Sequence, residues 1–391
     1  MSFIQIASTG RSLLPLLAYL FLMAISTSLT LPIRALFITE TLGGTAFENG
    51  LTYAIPAIIA VVITPIIGDY SDKVPDRRRI ITLGLAWMGL GAIVTSFVSV
   101  SWAVVLIAVL TFPVFSTINA QYFSWAGERP QPNPKQKIDT GQLRIGYVAG
   151  WVFGPAVCGA LLVTGISFRG MFVYQGIALI LLALLIWLFS SNPSRAKGKK
   201  VEEFRWSRFG LVDASLRNIS LFVAFVLAGD ILRLANLSLF VANRISTDNV
   251  DISMAYMITP IVELPAAIAF VWLAKRFKQK SVLSIGIVSA VIYFAASPFA
   301  TNMNQLLVLQ GLYGLIPASA LTIGISYAQS CLPDRIGFAT SVLFAGQSLA
   351  IVIGGVLATI SGAFLDVDTA YFLPLIFCMC AGWFWWMLPN R

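Results

Sequence analysis

The sequence predicts an all-α membrane protein with twelve transmembrane helices in two pseudo-symmetric six-helix bundles. Three observations predict this fold: the apolar composition, the alternation of apolar runs with basic loops, and an internal repeat. Of the 391 residues, 58% are hydrophobic and 11% are charged, and the mean hydropathy is +0.85. A single water-soluble core could not hide so much apolar surface, so the chain is expected to cross a membrane many times.

The predicted transmembrane helices, or crossings, are counted in chain order. A crossing needs about 20 predominantly apolar residues. Twelve runs are long enough: 13–38, 50–68, 79–98, 101–125, 141–165, 170–190, 218–243, 253–274, 281–300, 305–331, 336–364 and 370–388. The segment 192–217 has seven Lys and Arg residues and no such run. We therefore expect an N-terminal bundle at 1–191, a basic cytoplasmic linker at 192–217 and a C-terminal bundle at 218–391.

The basic residues predict the orientation of the chain in the membrane. Of the 26 Lys and Arg residues, 22 lie in alternate loops and at the termini. Cytoplasmic loops carry such an excess, so both termini are predicted to lie in the cytoplasm. The same bias explains the net charge of +9 without a nucleic-acid partner. We expect a multi-pass protein of a bacterial inner membrane that works as a monomer in the lipid bilayer.

Several classes of chemistry are disfavoured by composition. The chain has no His, and its four Cys residues have no metal-ligand spacing, so no metal site and no cofactor are expected. No Gly-x-x-x-x-Gly-Lys loop occurs, so ATP is not expected to act directly. We therefore expect a carrier of a small molecule rather than an enzyme.

The two halves of the chain resemble each other at an offset of about 200 residues. Four pairs show it: the basic loops 73–79 and 275–280, Arg34 and Arg233, Pro113 and Pro317, and Gly154 and Gly355. Together they indicate two parallel repeats, which is the arrangement of transporters that rock two bundles about a site at the membrane midplane.

The loop between the second and third crossings resembles the signature of the major facilitator superfamily, with Pro75 where the pattern usually has glycine. The resemblance implies that the third, sixth, ninth and twelfth crossings, which are almost purely apolar and aromatic, face lipid. It also implies that the signature residues close the cytoplasmic side of the transport path: Gly68, Asp72, Lys73, Arg77 and Arg78.

The fifth crossing resembles the glycine-proline motif of the exporting branches of that superfamily. Small residues at this spacing let backbones approach, and proline bends a helix. The motif thus indicates either gating or ordinary close packing, and we assign gating to Arg144, Gly150, Gly154, Pro155 and Gly159.

Three further stretches are similar to the bacterial sugar efflux transporter family: Gln142 with Arg144, Glu263–Ala266 followed by Lys275–Phe277, and Pro333–Thr340. This resemblance implies export of a sugar or glycoside by proton antiport.

Four charged residues, Arg34, Asp230, Arg233 and Glu263, lie deep within predicted crossings, where each needs a partner or a wet cavity. Glu263, between Pro260 and Pro265, is the first candidate for the proton carrier; the alternative is a structural ion pair with Arg34 or Arg233. Asp230 and Arg233 lie three residues apart, which is the spacing of an intrahelical ion pair or of a proton switch.

A polar lining is predicted for the transport path. Amides, hydroxyls and aromatic faces together suit a polyhydroxylated ligand, although hydrogen bonding between helices explains each residue as well. The predicted substrate-binding residues are Arg34, Asn119, Tyr122, Arg233, Asn236, Tyr256, Gln310, Tyr313 and Gln347. Arg34 lies near the end of its crossing, where it either reaches the membrane surface or binds a substrate oxygen. An exporter of drugs, or of an anionic metabolite such as a carboxylate siderophore, therefore stays open.

Overall fold

The computed structural model describes residues 3–74, 76–127, 140–190, 213–332 and 336–390, with backbone only in some helical segments, among them 3–13, 68–73, 141–144 and 336–338. All regular elements in these ranges are helices, and twelve of them, single or composite, are long and apolar enough to cross a membrane. The predicted fold class is thereby confirmed.

The N-terminal crossings are α1 (Phe3–Ser28) with α2 (Leu31–Leu36), α3 (Ala46–Lys73), α4 (Arg77–Phe97), α5 (Ser101–Gly127), α6 (Thr140–Val163) and α7 (Phe168–Phe189). The C-terminal crossings are α8 (Ala214–Val226) with α9 (Gly229–Arg244), α10 (Asn249–Leu273), α11 (Gln279–Ala296), α12 (Met303–Pro317) with α13 (Gly324–Cys331), α14 (Ile336–Phe364), and α15 (Val367–Ala370) with α16 (Pro374–Trp386). Helix α8 begins inside the predicted linker because the Asp213 carboxylate caps it, accepting hydrogen bonds from the amides of Ser215 and Leu216. The rest of the linker up to residue 212 lies outside the described residues.

Among the described residues, four crossings that the sequence predicts as continuous helices are interrupted; in the twelfth, the break lies between Ala370 and Pro374. The first breaks between Ser28 and Leu31, and the seventh breaks between Val226 and Gly229. The first break coincides with Pro32 in the opening turn of α2, since proline has no amide hydrogen to bond the preceding turn. The tenth contains a π-helical segment, Ala318–Ile323, directly after Pro317. The first and seventh breaks lie about 200 residues apart, as expected for the two repeats.

Alternate connections lie at opposite ends of the molecule. The connections 42–45, 98–100, 164–167, 245–248, 300–302 and 365–366 share one end, called the charge-poor face. The described parts of the two basic loops, with Val74, Asp76 and Arg77 in the first and 275–278 in the second, lie at the other end, called the basic face. The predicted topology places the basic face in the cytoplasm.

Candidate functional site

A half-buried ion pair forms the centre of the candidate site. On α9, Arg233 Nη2 lies 3.1 Å from Asp230 Oδ1, so the three-residue spacing does produce the predicted intrahelical pair. The Tyr313 hydroxyl on α12 donates a hydrogen bond of 2.9 Å to the same oxygen. The Arg233 guanidinium also lies 4.2 Å from the centre of the Tyr313 ring. Side chains from α9 and α12 thus both donate a hydrogen bond to Asp230 Oδ1.

Gln310 extends this network to two more crossings. Its Oε1 accepts hydrogen bonds from Arg233 Nη1 at 3.0 Å and from Thr259 Oγ1 at 3.1 Å. Its Nε2 donates to the Tyr293 hydroxyl at 2.9 Å. Tyr293 of the ninth crossing is fully buried against the network. Neither Thr259 nor Tyr293 is among the predicted substrate-binding residues, and the one signal for Tyr293 is that it is the single Tyr of an apolar run.

Only one edge of the network is accessible. Arg233, Gln310 and Tyr313 are at most 4% exposed, whereas the Asp230 side chain is 39% exposed. Within the described part of the chain, both hydrogen bonds that Asp230 accepts end on Oδ1. A ligand hydroxyl or a proton would therefore meet the network at the Asp230 carboxylate, while Arg233 is shielded behind it. We call Asp230, Arg233, Thr259, Tyr293, Gln310 and Tyr313 the Asp230 network.

Glu263 lies beside this network on α10. It is half-buried, and α10 runs without a break through Pro260 and Pro265. Thr259 and Glu263 are four residues apart and therefore share one face of the helix. That face packs closely on α12, because a Cβ atom at Gly314 would lie 2.6 Å from the Thr259 carbonyl oxygen and 3.1 Å from the Glu263 nitrogen. Glu263, the first proton-carrier candidate, thus lies one helical turn from Thr259 of the Asp230 network.

Arg34 is half-buried on α2 and contacts the second crossing. Its Nη2 donates a hydrogen bond of 3.2 Å to the Thr52 carbonyl, and its guanidinium lies 4.5 Å from the centre of the Tyr53 ring. Among the described residues, no carboxylate forms an ion pair with Arg34. The contacts of the Arg34 guanidinium therefore lie on α3 of the N-terminal bundle, apart from the Asp230 network.

Two of the predicted lining residues connect helices in the C-terminal bundle. Asn236 Nδ2 donates to Ser361 Oγ at 3.2 Å, which joins α9 to α14. The Tyr256 hydroxyl donates to the Leu234 carbonyl at 2.9 Å, which joins α10 to α9. Both residues are buried, so in this structure they serve as helix–helix hydrogen bonds.

The remaining lining candidates lie apart from the Asp230 network. Asn119 Nδ2 donates to the Phe115 carbonyl of its own helix at 3.1 Å. The Tyr122 hydroxyl donates to the Leu16 carbonyl at 2.8 Å and is fully buried, so it packs α5 on α1. Gln347 is half-buried on α14. The structure does not bring these three residues together with Arg233.

The described basic residues of the signature loop bind within the N-terminal bundle. Arg77 Nη1 donates to Gln121 Oε1 at 2.6 Å, joining the third and fourth crossings. Arg78 Nη1 donates to the Ser190 carbonyl at 2.6 Å, and its guanidinium lies 4.5 Å from the Trp187 ring. The side chains of Asp72, Lys73 and Arg144, and the whole of Pro75, lie outside the described residues; the backbone of α3, with Gly68, is helical to Lys73.

The second basic loop repeats the Arg78 arrangement. Lys280 Nζ donates to the carbonyls of Trp386 at 2.9 Å and Leu388 at 2.6 Å, and lies 5.1 Å from the Trp385 ring. Arg78 thus caps the sixth crossing as Lys280 caps the twelfth. Cations at these sites satisfy carbonyls that lack helical partners. Each basic loop therefore fixes the end of a neighbouring crossing.

Replacing Arg78 by Ala is expected to lower the free energy of unfolding by about 1 kcal/mol, because carbonyls at the end of α7 lose their donor. Thermal unfolding in detergent measures the effect. Arg79 is exposed one position along the same helix, so Arg79→Ala is the control and should leave the unfolding temperature unchanged. Equal unfolding temperatures for the two variants would contradict the capping role.

The glycine motif of the fifth crossing serves mainly to pack α6 on α1. Cβ atoms at Gly150 and Gly154 would lie 2.5 Å from the Phe21 carbonyl oxygen and 2.8 Å from that of Ile25. Gly159 instead faces the C-terminal bundle, because a Cβ atom at this glycine would lie 3.1 Å from the Ser253 Cβ atom. Pro155 is buried inside α6.

The pairing of Gly154 with Gly355 in the two repeats needs a correction by one residue. A Cβ at Gly354 would lie 2.6 Å from the Ala228 carbonyl oxygen, beside the break in the seventh crossing. Gly154 lies beside the break in the first crossing in the same way, so Gly354 is its structural counterpart. Gly355 faces Ala54 of the N-terminal bundle.

Comparisons with known proteins agree with this architecture. The profile of the Major Facilitator Superfamily matches residues 16–240 and 219–391. Sugar efflux transporter A of Dickeya chrysanthemi is 24% identical over 87% of this chain and 86% of its own length. Sugar efflux transporter C of Escherichia coli is 24% identical over 88% of each chain.

Solved structures show the same fold. The nucleoside transporter NupG superposes with a TM-score of 0.78 at 16% identity, over 96% of this chain and 98% of that one. A bacterial homologue of the human lysosomal transporter Spinster, inward-facing and unoccupied, superposes with a TM-score of 0.76 at 15% identity, over 97% and 96% of the two chains. With a family profile that covers nearly the whole chain, twelve apolar crossings and this fold, the chain belongs to the major facilitator superfamily of membrane transporters and is similar to its sugar efflux transporters.

Proposed function

We propose that this transporter exports a small polar solute, a sugar or a glycoside, in exchange for protons. It acts as a monomer in a bacterial inner membrane, with both termini and the basic face in the cytoplasm. Access to the site alternates between the two sides of the membrane. The observation that carries the proposal is the Asp230 carboxylate, the accessible edge of a buried polar network that joins four crossings.

The network favours a neutral ligand with hydroxyl groups. Asp230 already holds Arg233 and Tyr313 through Oδ1, which leaves Oδ2 as an acceptor for ligand hydroxyls. An anion would be repelled by Asp230 and could not reach Arg233 without breaking the ion pair. The names of the relatives, sugar efflux transporters, support the same ligand class.

Glu263 is the proposed proton carrier, with Asp230 as the second candidate. Glu263 would take a proton from outside as the ligand leaves and release it inward as the next ligand binds. Proton and ligand then compete for one state of the carrier, which is the condition for exchange. Asp230 is held by two hydrogen bonds on one oxygen, so we assign it to ligand binding first.

One observation favours an anionic metabolite as the second candidate. The Arg34 guanidinium contacts the Thr52 carbonyl and the Tyr53 ring on α3, and no carboxylate pairs with it in the described part of the chain. A ligand carboxylate could therefore bind there without displacing a protein carboxylate. This alternative predicts a different ligand and a different essential residue.

Solute-driven proton movement in proteoliposomes distinguishes the two candidates. Wild type and Arg34→Gln would be tested with a panel of sugars and glycosides and then with carboxylate metabolites, against protein-free vesicles. We expect proton movement with a glycoside in both proteins. If protons move only with carboxylates, and no longer move in Arg34→Gln, the ligand is an anion and not a sugar. No proton movement with any solute that exchanges across the membrane would refute antiport.

A further inference from the structure

The two bundles make close contact near the charge-poor face. Cβ atoms at Gly50 and Gly362 would lie 2.6 Å from the Thr359 nitrogen and 2.5 Å from the Ala46 carbonyl oxygen, so these glycines bring α3 and α14 backbone to backbone. Below them, Tyr53 is buried in one apolar cluster with residues of α9 and α14: Ile231, Leu232, Ala235, Leu357 and Ala358. We call these contacts the seal.

A hydrogen bond between the bundles lies inside the seal. Asn49 is fully buried on α3, and its Nδ2 donates to the Ala235 carbonyl of α9 at 2.9 Å. Its Oδ1 has no partner among the described residues. A buried amide that crosses between two rigid bodies stabilises the closed arrangement only, because water satisfies both groups once the bundles separate.

Helix α9 belongs to the seal and to the Asp230 network at once. It carries Asp230 and Arg233 of the network. It also carries Ile231 and the Ala235 carbonyl of the seal. It is only 16 residues long and is separated from α8 by the break after Val226. A shift of α9 at that break would therefore move both sets of contacts together.

We propose that the Asn49–Ala235 hydrogen bond is a latch on the charge-poor end of the transport path, and that α9 couples it to the Asp230 network. The latch must open each time the site is exposed to the charge-poor side. The proposal rests on the alternating access of the proposed function, but not on the identity of the ligand or on proton exchange.

A cysteine in the seal reports its opening. Ala358 is buried in the apolar cluster of the seal, so Ala358→Cys would be placed in the otherwise wild-type chain and treated in intact cells with a membrane-impermeant maleimide. The chain without this cysteine measures labelling of the four native Cys residues. The labelling rate then reports how often the seal opens, with no substrate needed.

Removing the latch is expected to speed labelling. In the reporter chain, Asn49→Ala should raise the rate about five-fold, which corresponds to about 1 kcal/mol for one hydrogen bond. The control is Thr95→Val, a buried residue near the same face whose hydroxyl binds only the Gly91 carbonyl of its own helix. An unchanged rate in Asn49→Ala, or an equal increase in both variants, would overturn the latch.

A second variant tests the seal by sterics. In Gly50→Ala the added methyl would meet the backbone of Thr359 and Ala358, so the seal cannot close and labelling should rise by more than in Asn49→Ala. Gly382→Ala is the control, because a Cβ there would meet nothing within 4 Å. Size-exclusion chromatography verifies that both variants fold. A folded Gly50→Ala protein that labels like wild type would refute the seal.

The coupling through α9 has its own test. Asp230→Asn removes the ion pair with Arg233 and should raise reporter labelling about threefold, as expected for the loss of a half-exposed pair. An unchanged rate would refute the coupling. If Asn49→Ala speeds labelling while no proton movement is found in proteoliposomes, the latch stands and proton antiport fails. If protons move in proteoliposomes but Asn49→Ala leaves the labelling rate unchanged, proton antiport stands and the latch fails.

Discussion

Replacing Glu263 by Gln is expected to reduce solute-driven proton movement to the level of protein-free vesicles. The amide keeps the shape of the side chain but cannot bind and release a proton. If an ionisable side chain within a crossing carries the proton, no other group takes over this role once the side chain is removed. Exchange of labelled for unlabelled solute across the vesicle should persist, because it needs no net proton transfer.

Glu48→Gln is the matched control for this experiment. Glu48 is also a buried carboxylate in a crossing, 7% exposed, but it caps α3: its oxygens accept hydrogen bonds from the Thr45 amide at 2.7 Å and from Ser101 Oγ at 2.8 Å. The control should lose some stability and keep proton coupling per folded molecule. If Glu263→Gln moves protons as well as wild type, Glu263 is structural, and Asp230→Asn becomes the variant to test.

Replacing Arg233 by Met is expected to lower the free energy of unfolding by about 2 kcal/mol, because the buried Gln310 oxygen loses its donor. The substitution also leaves the partly exposed Asp230 carboxylate without its counter-charge. Thermal unfolding in detergent measures the loss. Solute exchange should fall as well, because the ligand-binding face of Asp230 loses its orientation.

Two further variants test the cause of this loss. Arg244 lies on the same helix and pairs with Asp368, but its side chain is 36% exposed, so Arg244→Met should cost less than about 1 kcal/mol. The double variant Asp230→Asn with Arg233→Met removes the unpaired charge and should recover part of the stability. If the double variant is no more stable than Arg233→Met alone, the charge is not the cause of the loss.

Much of the fold is readable from the chain because a membrane imposes simple constraints on sequence. Every crossing must be long and apolar, and every basic loop is biased to one side, so the twelve crossings and their alternation follow from composition alone. The signature loop and the glycine-proline motif add the superfamily, which the family comparison confirms.

The helix breaks could be read only in part. Pro32 and Pro317 signal the interruptions in the first and tenth crossings, but Pro113, Pro260 and Pro265 lie in helices that continue. The break after Val226 has no proline at all. Packing around each site decides whether a helix tolerates the lost hydrogen bond, and packing is not local in sequence.

The sequence by itself determined the class of molecule, the twelve crossings, the two repeats, the superfamily and the short list of charged residues in the membrane. Each of these depends on composition, on residue spacing within one segment or on a local motif. Only the tertiary structure decided which of those residues meet. It placed Asp230, Arg233, Gln310 and Tyr313 in one network with Tyr293, set Asn119 and Tyr122 apart from it, and aligned Asn49 with the Ala235 carbonyl of the other bundle. Such contacts join residues tens to hundreds of positions apart, and their energies depend on burial and geometry that no single segment encodes.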